Sequence, residues 1–178
     1  LQYPRQGEFL SPFVFKDLNG DGVQEALVFY SREAAGAKSQ YVEIALLAKS
    51  DNKWADLWNE EGLGTEVDSV RFGSMYGADA STLIVGYANA NLAEKYLAVY
   101  QYERESGCLQ RTDQRPYYEY ALADFTGSGT DDLAVLSPAQ ENEPMQVTLL
   151  TVQEQTLQRV TSVRLDSLLQ SCAQLCTS

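Results

Sequence analysis

Histidine is absent from this chain of 178 residues. Its absence removes the commonest general base and the commonest transition-metal ligand together. Ser-His-Asp and Cys-His nucleophile systems are thereby excluded within the chain, as are His-containing zinc sites. Cysteine is scarce, and Cys108, Cys172 and Cys176 are one thiolate short of a four-cysteine zinc site. On a helix, Cys172 and Cys176 would share a face near the upper limit of disulfide separation; the alternative is burial as small apolar residues. The odd count points to at least one free thiol and leaves the redox compartment open. Positive charge is also in short supply, with 13 basic against 25 acidic residues and a net charge of −12. That balance argues against nucleic-acid partners and anionic membrane surfaces. No run of about eighteen apolar residues exists, so no transmembrane segment is expected. Neither a phosphate-binding glycine loop nor a dinucleotide fingerprint is present.

What remains is enough for a core, since 44% of the residues are hydrophobic. The length suits one ordinary domain or a set of repeats. The chain starts at Leu1 rather than Met, from which a trimmed leader is expected. Its most informative segment reads Asp17-Leu-Asn-Gly-Asp-Gly-Val-Gln-Glu and runs straight into Ala26-Leu-Val-Phe. Oxygen-bearing side chains fall at loop positions 1, 3, 5 and 9, with glycines at 4 and 6. A tight loop so spaced wraps carboxylates and a main-chain carbonyl around one hard cation, and calcium fits best. An EF-hand is excluded, because position 12 is Val28 where a bidentate Glu is required. The alternative is an Asp-Asn-Gly turn without metal, since these residues favour turns unaided. Acids crowded into one loop repel each other, however, and a divalent ion relieves that repulsion.

The loop recurs. Asp124 lies 107 residues after Asp17 and opens a weaker copy at 124–132, with Val135 at position 12. A third copy, Gly73 to Ser81, sits near the midpoint. Apolar stretches follow all three in register: Glu25-Ala-Leu-Val-Phe, Ser81-Thr-Leu-Ile-Val and Asp132-Leu-Ala-Val-Leu. Second β-rich stretches begin at Tyr41, Tyr96 and Gln146, which lie 24, 23 and 22 residues after their anchors. Third strands are expected at Lys53–Trp58, Cys108–Thr112 and Thr156–Val160, and fourth strands at Val67–Phe72, Tyr118–Ala123 and Ser162–Leu165. Turn signals at Gly36, Ser50 to Asn52, Gly62 with Gly64, Asn89 to Asn91, Ser106-Gly107 and Pro138 to Pro144 separate them. Glu8 to Phe15 would supply the strand entering the first loop. Four short strands in about fifty residues is the size of a propeller blade. The expected fold is therefore all-β: about three four-stranded antiparallel blades over residues 8–66, 67–118 and 119–165, then a short C-terminal helix over 165–176.

Loop and repeat together resemble the FG-GAP/VCBS repeat family, whose units form blades of extracellular β-propellers. The resemblance spans about Phe13 to Leu165 and is most specific in Asp17-x-Asn19-x-Asp21-Gly22-x-x-Glu25. It implies that Asp17, Asn19, Asp21 and Glu25 supply side-chain oxygens to calcium and Val23 its carbonyl. In the 124–132 copy it implies Asp124, Thr126, Ser128 and Asp132, with Thr130 at the carbonyl position. Hydroxyls replace an acid there, so weaker binding is expected. The middle copy, with Gly73, Met75, Gly77 and Ser81, should bind no metal. The family's Gly-Ala-Pro is missing, as Gly77-Ala78 lacks the proline. Three blades cannot close a ring of four to eight. The remaining blades then come from a longer chain or from self-association, or the sheets pack openly.

The resemblance implies a calcium-stabilised, non-catalytic interaction module of an exported or surface-attached bacterial protein. Calcium affinities of about 10⁻⁴ to 10⁻³ M, common in extracellular modules, suit that location. Its partner is an unidentified protein or glycan. The alternatives are a glycan-binding propeller segment, motivated by Trp54, Trp58 and the tyrosines, and a carboxylate-dependent hydrolase fragment. The adjacent pairs Glu60-Glu61 and Asp131-Asp132 give the hydrolase little support, because neighbours on a strand face opposite sides.

Overall fold

The structure, a computed structural model, describes residues 1–33, 40–51, 53–77, 81–90, 92–139 and 144–165. The described chain is all-β. Its strands are β1 (Gln6–Gly7), β2 (Phe13–Lys16), β3 (Glu25–Glu33), β4 (Gln40–Ser50), β5 (Lys53–Glu61), β6 (Glu66–Gly73), β7 (Thr82–Asn89), β8 (Leu92–Glu103), β9 (Cys108–Pro116), β10 (Glu119–Ala123), β11 (Asp132–Ser137), β12 (Gln146–Gln153) and β13 (Thr156–Arg164). They form three sheets, ordered β2-β3-β4-β5, β1-β6-β7-β8-β9 and β10-β11-β12-β13. Sequential strands pair antiparallel, and only the two-residue β1 lies parallel to its neighbour, β6. Strand pairing does not join the three sheets, and no ring closure is found among the described residues.

The strands counted fourth after the first two loops open the second and third sheets, close to the unit bounds at 67 and 119. Val67–Phe72 lies within β6 and Tyr118–Ala123 largely within β10, where each pairs with the strand after its loop. An antiparallel partner reached through a short loop forms locally, at low closure entropy. Ser162–Arg164 is the continuation of β13. Of Glu8 to Phe15, only the stretch from Phe13 pairs into the sheet. The terminal helix expected at 165–176, with Cys172 and Cys176, falls beyond Leu165 outside the described residues, as do Gly36, Asn52, Asn91 and Glu141–Glu143. Cys108 is a free thiol.

Residues 1–115 form one compact unit and residues 116–178 another. The first unit's core lies between its two sheets. Cross-strand partners share a face, so the row Val14, Leu27, Leu46 and Trp58 points one way across the first sheet. These side chains and Phe29, Ile44 and Val42 meet Val67, Val70, Leu83, Val85, Tyr87 and Tyr100 of the second sheet in one cluster. The N-terminal segment stitches the two sheets together. The Gln2 amide donates to the Phe29 carbonyl at 2.8 Å and the Arg5 amide to the Asp68 carbonyl at 3.0 Å, while the Phe29 amide donates to Pro12 at 3.0 Å. In the second unit, Leu133, Val135 and Leu150 are buried, and the Tyr117 and Tyr120 rings meet edge-on at 5.6 Å.

The crossing from β5 to β6 leaves no room for a side chain. A Cβ on Gly64 would stand 2.6 Å from the Ala88 carbonyl oxygen, and one on Gly62 would stand 2.3 Å from the Tyr87 ring. The Ala88 oxygen is itself fixed by the Thr65 amide at 3.0 Å. A backbone atom inside a sheet cannot swing aside as a side chain can. Gly64→Ala is therefore expected to lower unfolding free energy by about 1–3 kcal/mol in urea titrations. An unchanged midpoint would show that β7 yields at Ala88.

Candidate metal centre

The 17–25 loop joins β2 to β3 and is held in shape by its own polar side chains. Asp17 Oδ1 accepts the Gly20 amide at 2.7 Å and the Asp21 amide at 3.2 Å, and Asp17 Oδ2 accepts the Gly22 amide at 2.9 Å. Asn19 Oδ1 takes the Asp21 amide at 2.8 Å, and Asp21 Oδ1 takes the Val23 amide at 2.7 Å. Gly20 and Gly22 adopt φ of 76° and 86°, a left-handed backbone that side chains resist. Two acids converge on one point: Asn19 Nδ2 donates to Asp21 Oδ2 at 3.0 Å and to Glu25 Oε1 at 3.1 Å. Glu25 is only 4% exposed, and its Oε2 accepts the Leu18 amide at 2.8 Å. The Leu18 side chain plugs into the core beneath the loop.

The 124–132 loop repeats this backbone. Gly127 and Gly129 have φ of 73° and 84°, close to their counterparts. Asp124 accepts the Ser128 and Gly129 amides at 2.8 and 2.9 Å. Asp132 Oδ2 takes the Thr126 amide at 2.8 Å, as Glu25 takes that of Leu18, and also the Thr126 hydroxyl at 2.9 Å. Ser128 turns its hydroxyl to Thr130 at 3.0 Å. Phe125, the counterpart of Leu18, is exposed, so this loop lacks the apolar plug. The middle copy takes another form: the Gly77 amide bonds the Ser74 carbonyl at 3.3 Å, and Met75 is buried.

Two supporting residues escaped the sequence reading. The Ser81 hydroxyl, at the middle copy's position 9, donates to the Asp17 carbonyl at 3.4 Å. Tyr102 of β8 brings its hydroxyl to Asn19, and burial and the Glu25 charge raise its pKa. Tyr102 lies in the second sheet and Ser81 immediately before its strand β7, so no local spacing rule could have found them. Val23 and Thr130 lie at position 7 of their loops, and the Thr130 carbonyl accepts the Ser128 hydroxyl at 3.5 Å.

The donor set consists of hard oxygens, which suits calcium and magnesium rather than softer metals. The acids are nevertheless engaged with loop amides, and among the described residues no three His, Cys, Asp or Glu side chains assemble as a metal-ligand group. The Asn19 amide hydrogens stand between Asp21 and Glu25, where a cation would relieve the same repulsion.

Titration differs between the two position-9 acids. Burial raises the Glu25 pKa above its ordinary value near 4.5; the Leu18 amide opposes this, and the Asp21 and Asp17 charges add to it. Burial also pushes Asp132 up, but donors from Thr151, Thr126 and the Phe125 amide outweigh it and leave the carboxyl below its ordinary 3.8. The folded protein thus holds the Glu25 proton longer than the unfolded chain does. Its stability should fall as pH rises through the interval just above 4.5, without further change beyond the folded pKa. Asp132 acts oppositely, contributing stability above 3.8 that is lost as pH falls through its lower folded value. Glu25→Gln is accordingly expected to abolish the decline above 4.5 in chelator-treated protein, measured as melting temperature against pH. Persistence of that decline would assign it to other groups.

No protein-family model and no curated protein matches the chain.

Proposed function

We propose that this chain is a calcium-stabilised, non-catalytic interaction module of an exported or surface-attached bacterial protein, and that its sheets are propeller-type blades. The observation that carries this reading is the pair of loops at the entrances of β3 and β11. They share left-handed glycines at positions 4 and 6 and a position-9 acid turned back onto the position-2 or position-3 amide. Exchanging the two ends of the Asn19 amide would set an oxygen beside Asp21 and Glu25, a grouping that only a cation makes favourable. Meander order within each sheet supports the blade reading, with further blades supplied by a longer chain or a second copy. A clamp that fixes the start of a strand explains the acids without invoking catalysis.

Calorimetric titration of calcium into chelator-stripped protein tests the metal reading. Binding at the 17–25 loop should disappear in Asp21→Ala, and any weaker second event should disappear in Asp124→Ala. Absence of any calcium heat or retained binding in both variants would refute the assignment. A glycan-binding role is the second reading, and one surface feature favours it.

A further inference from the structure

Beside the first loop, β2 and the β4–β5 hairpin enclose an open groove of about 620 Å³, lined by Phe15, Val23, Gln24, Lys49 and Trp54 and by the loop at Asp17 and Gly22. Its volume lies in the range of small-ligand sites. Phe15 and Trp54 stand 6.1 Å apart with their rings inclined at 51°, and they are 50% and 46% exposed. The core-side pair behaves differently: Trp58 packs edge-on against the buried Tyr100. Cross-strand partners face the same way, so Phe15 falls on the sheet face opposite the row of Val14, Leu27 and Leu46.

We propose that this groove is a saccharide-binding subsite. A pyranose ring carries one face of C–H groups and a rim of hydroxyls. The two tilted aromatic faces match the first, and the Lys49 ammonium and Gln24 amide, lining the same groove, match the second. Lys49 takes part in none of the ion pairs found among the described residues. An apolar peptide or a second hydrophobic sheet laid here would strip water from Lys49 and Gln24 without replacing it, which is unfavourable. Nucleic acid is disfavoured by the net charge of −12. Lys49 also selects among sugars, since a carboxylate-bearing residue placed against it gains a charge-assisted bond. The subsite stands on the groove itself and does not require calcium in the adjoining loop.

The test uses the full chain against four immobilised probes: cellohexaose, chitohexaose, maltohexaose and hexagalacturonate. Wild-type protein should bind at least one of them. Trp54→Ala and Phe15→Ser should each weaken that binding about tenfold or more, while circular dichroism and melting stay near wild type, as expected for exposed strand positions. Lys49→Gln should selectively weaken hexagalacturonate if that probe binds. Failure of wild type to bind any of the four, or equal binding by both aromatic variants, overturns the proposal. A wild-type dimer made monomeric by Trp54→Ala, without sugar binding, overturns it in favour of a second copy covering the groove. Repeating the measurements in chelator separates the two readings: sugar binding that persists while calcium leaves melting unchanged sinks the metal assignment alone.

Discussion

Calcium added to chelator-stripped protein is expected to raise its melting temperature by about 5–10 °C once the free ion reaches roughly a hundred times its dissociation constant. The size follows from mass action. A ligand bound only by the folded state contributes about 2.7 kcal/mol at that excess, and each kcal/mol moves a chain of this size by about 2–4 °C. Asp21→Ala should remove most of the gain, because Asp21 Oδ2 is one of the two acid oxygens that converge at Asn19. The variant also loses the bond from the Val23 amide to Asp21 Oδ1, so its melting point without calcium should drop slightly as well. The decisive quantity is the difference between calcium and chelator within each protein. Ser128→Ala should barely alter that difference, since the Ser128 hydroxyl is spent on Thr130 in the other loop. Identical melting curves with and without calcium, in protein shown to be metal-free at the start, would leave the loop a turn and nothing more.

Phe29→Ala is expected to cost about 3–5 kcal/mol of unfolding free energy, the range for emptying a fully buried aromatic site. Phe29 is wholly inaccessible and packs in the cluster between the two sheets of the first unit. Its amide and carbonyl are held by Pro12 and Gln2, so the surrounding backbone is poorly placed to collapse into the cavity. Phe13→Ala, by contrast, should cost about 1 kcal/mol or less, since that residue is 43% exposed. Urea denaturation of the two variants side by side measures the contrast. Comparable losses would mean that the first sheet buries both of its faces in solution.

Much of the architecture was legible in the chain. Val14, Leu27 and Leu46 lie in the apolar stretches Phe13–Phe15, Ala26–Val28 and Ala45–Leu47, whose β-rich composition marked the strands but not which side chain faces the core. The left-handed turns at Gly20, Gly22, Gly127 and Gly129 are a local matter of having no Cβ, and their spacing was visible as a motif. Sheet membership was less legible. Val67–Phe72 reads equally well as the end of one repeat or the start of the next, because β propensity says nothing about partners. Ser81 and Tyr102 were invisible as supports of the first loop for the same reason: Tyr102 reaches it from the other sheet and Ser81 from the segment leading into that sheet.

By itself, the sequence determined the all-β class, the positions of the two acidic loops and the exclusion of histidine chemistry. All of these depend on residue type and short-range spacing. Only the tertiary structure decided that Phe29 is core while Phe15 and Trp54 line an open groove, and that Glu25 is buried while Asp17 spends its oxygens on loop amides. Burial and desolvation arise from what the rest of the chain brings alongside a residue, and that proximity is set by packing between sheets rather than by the order of residues along a strand.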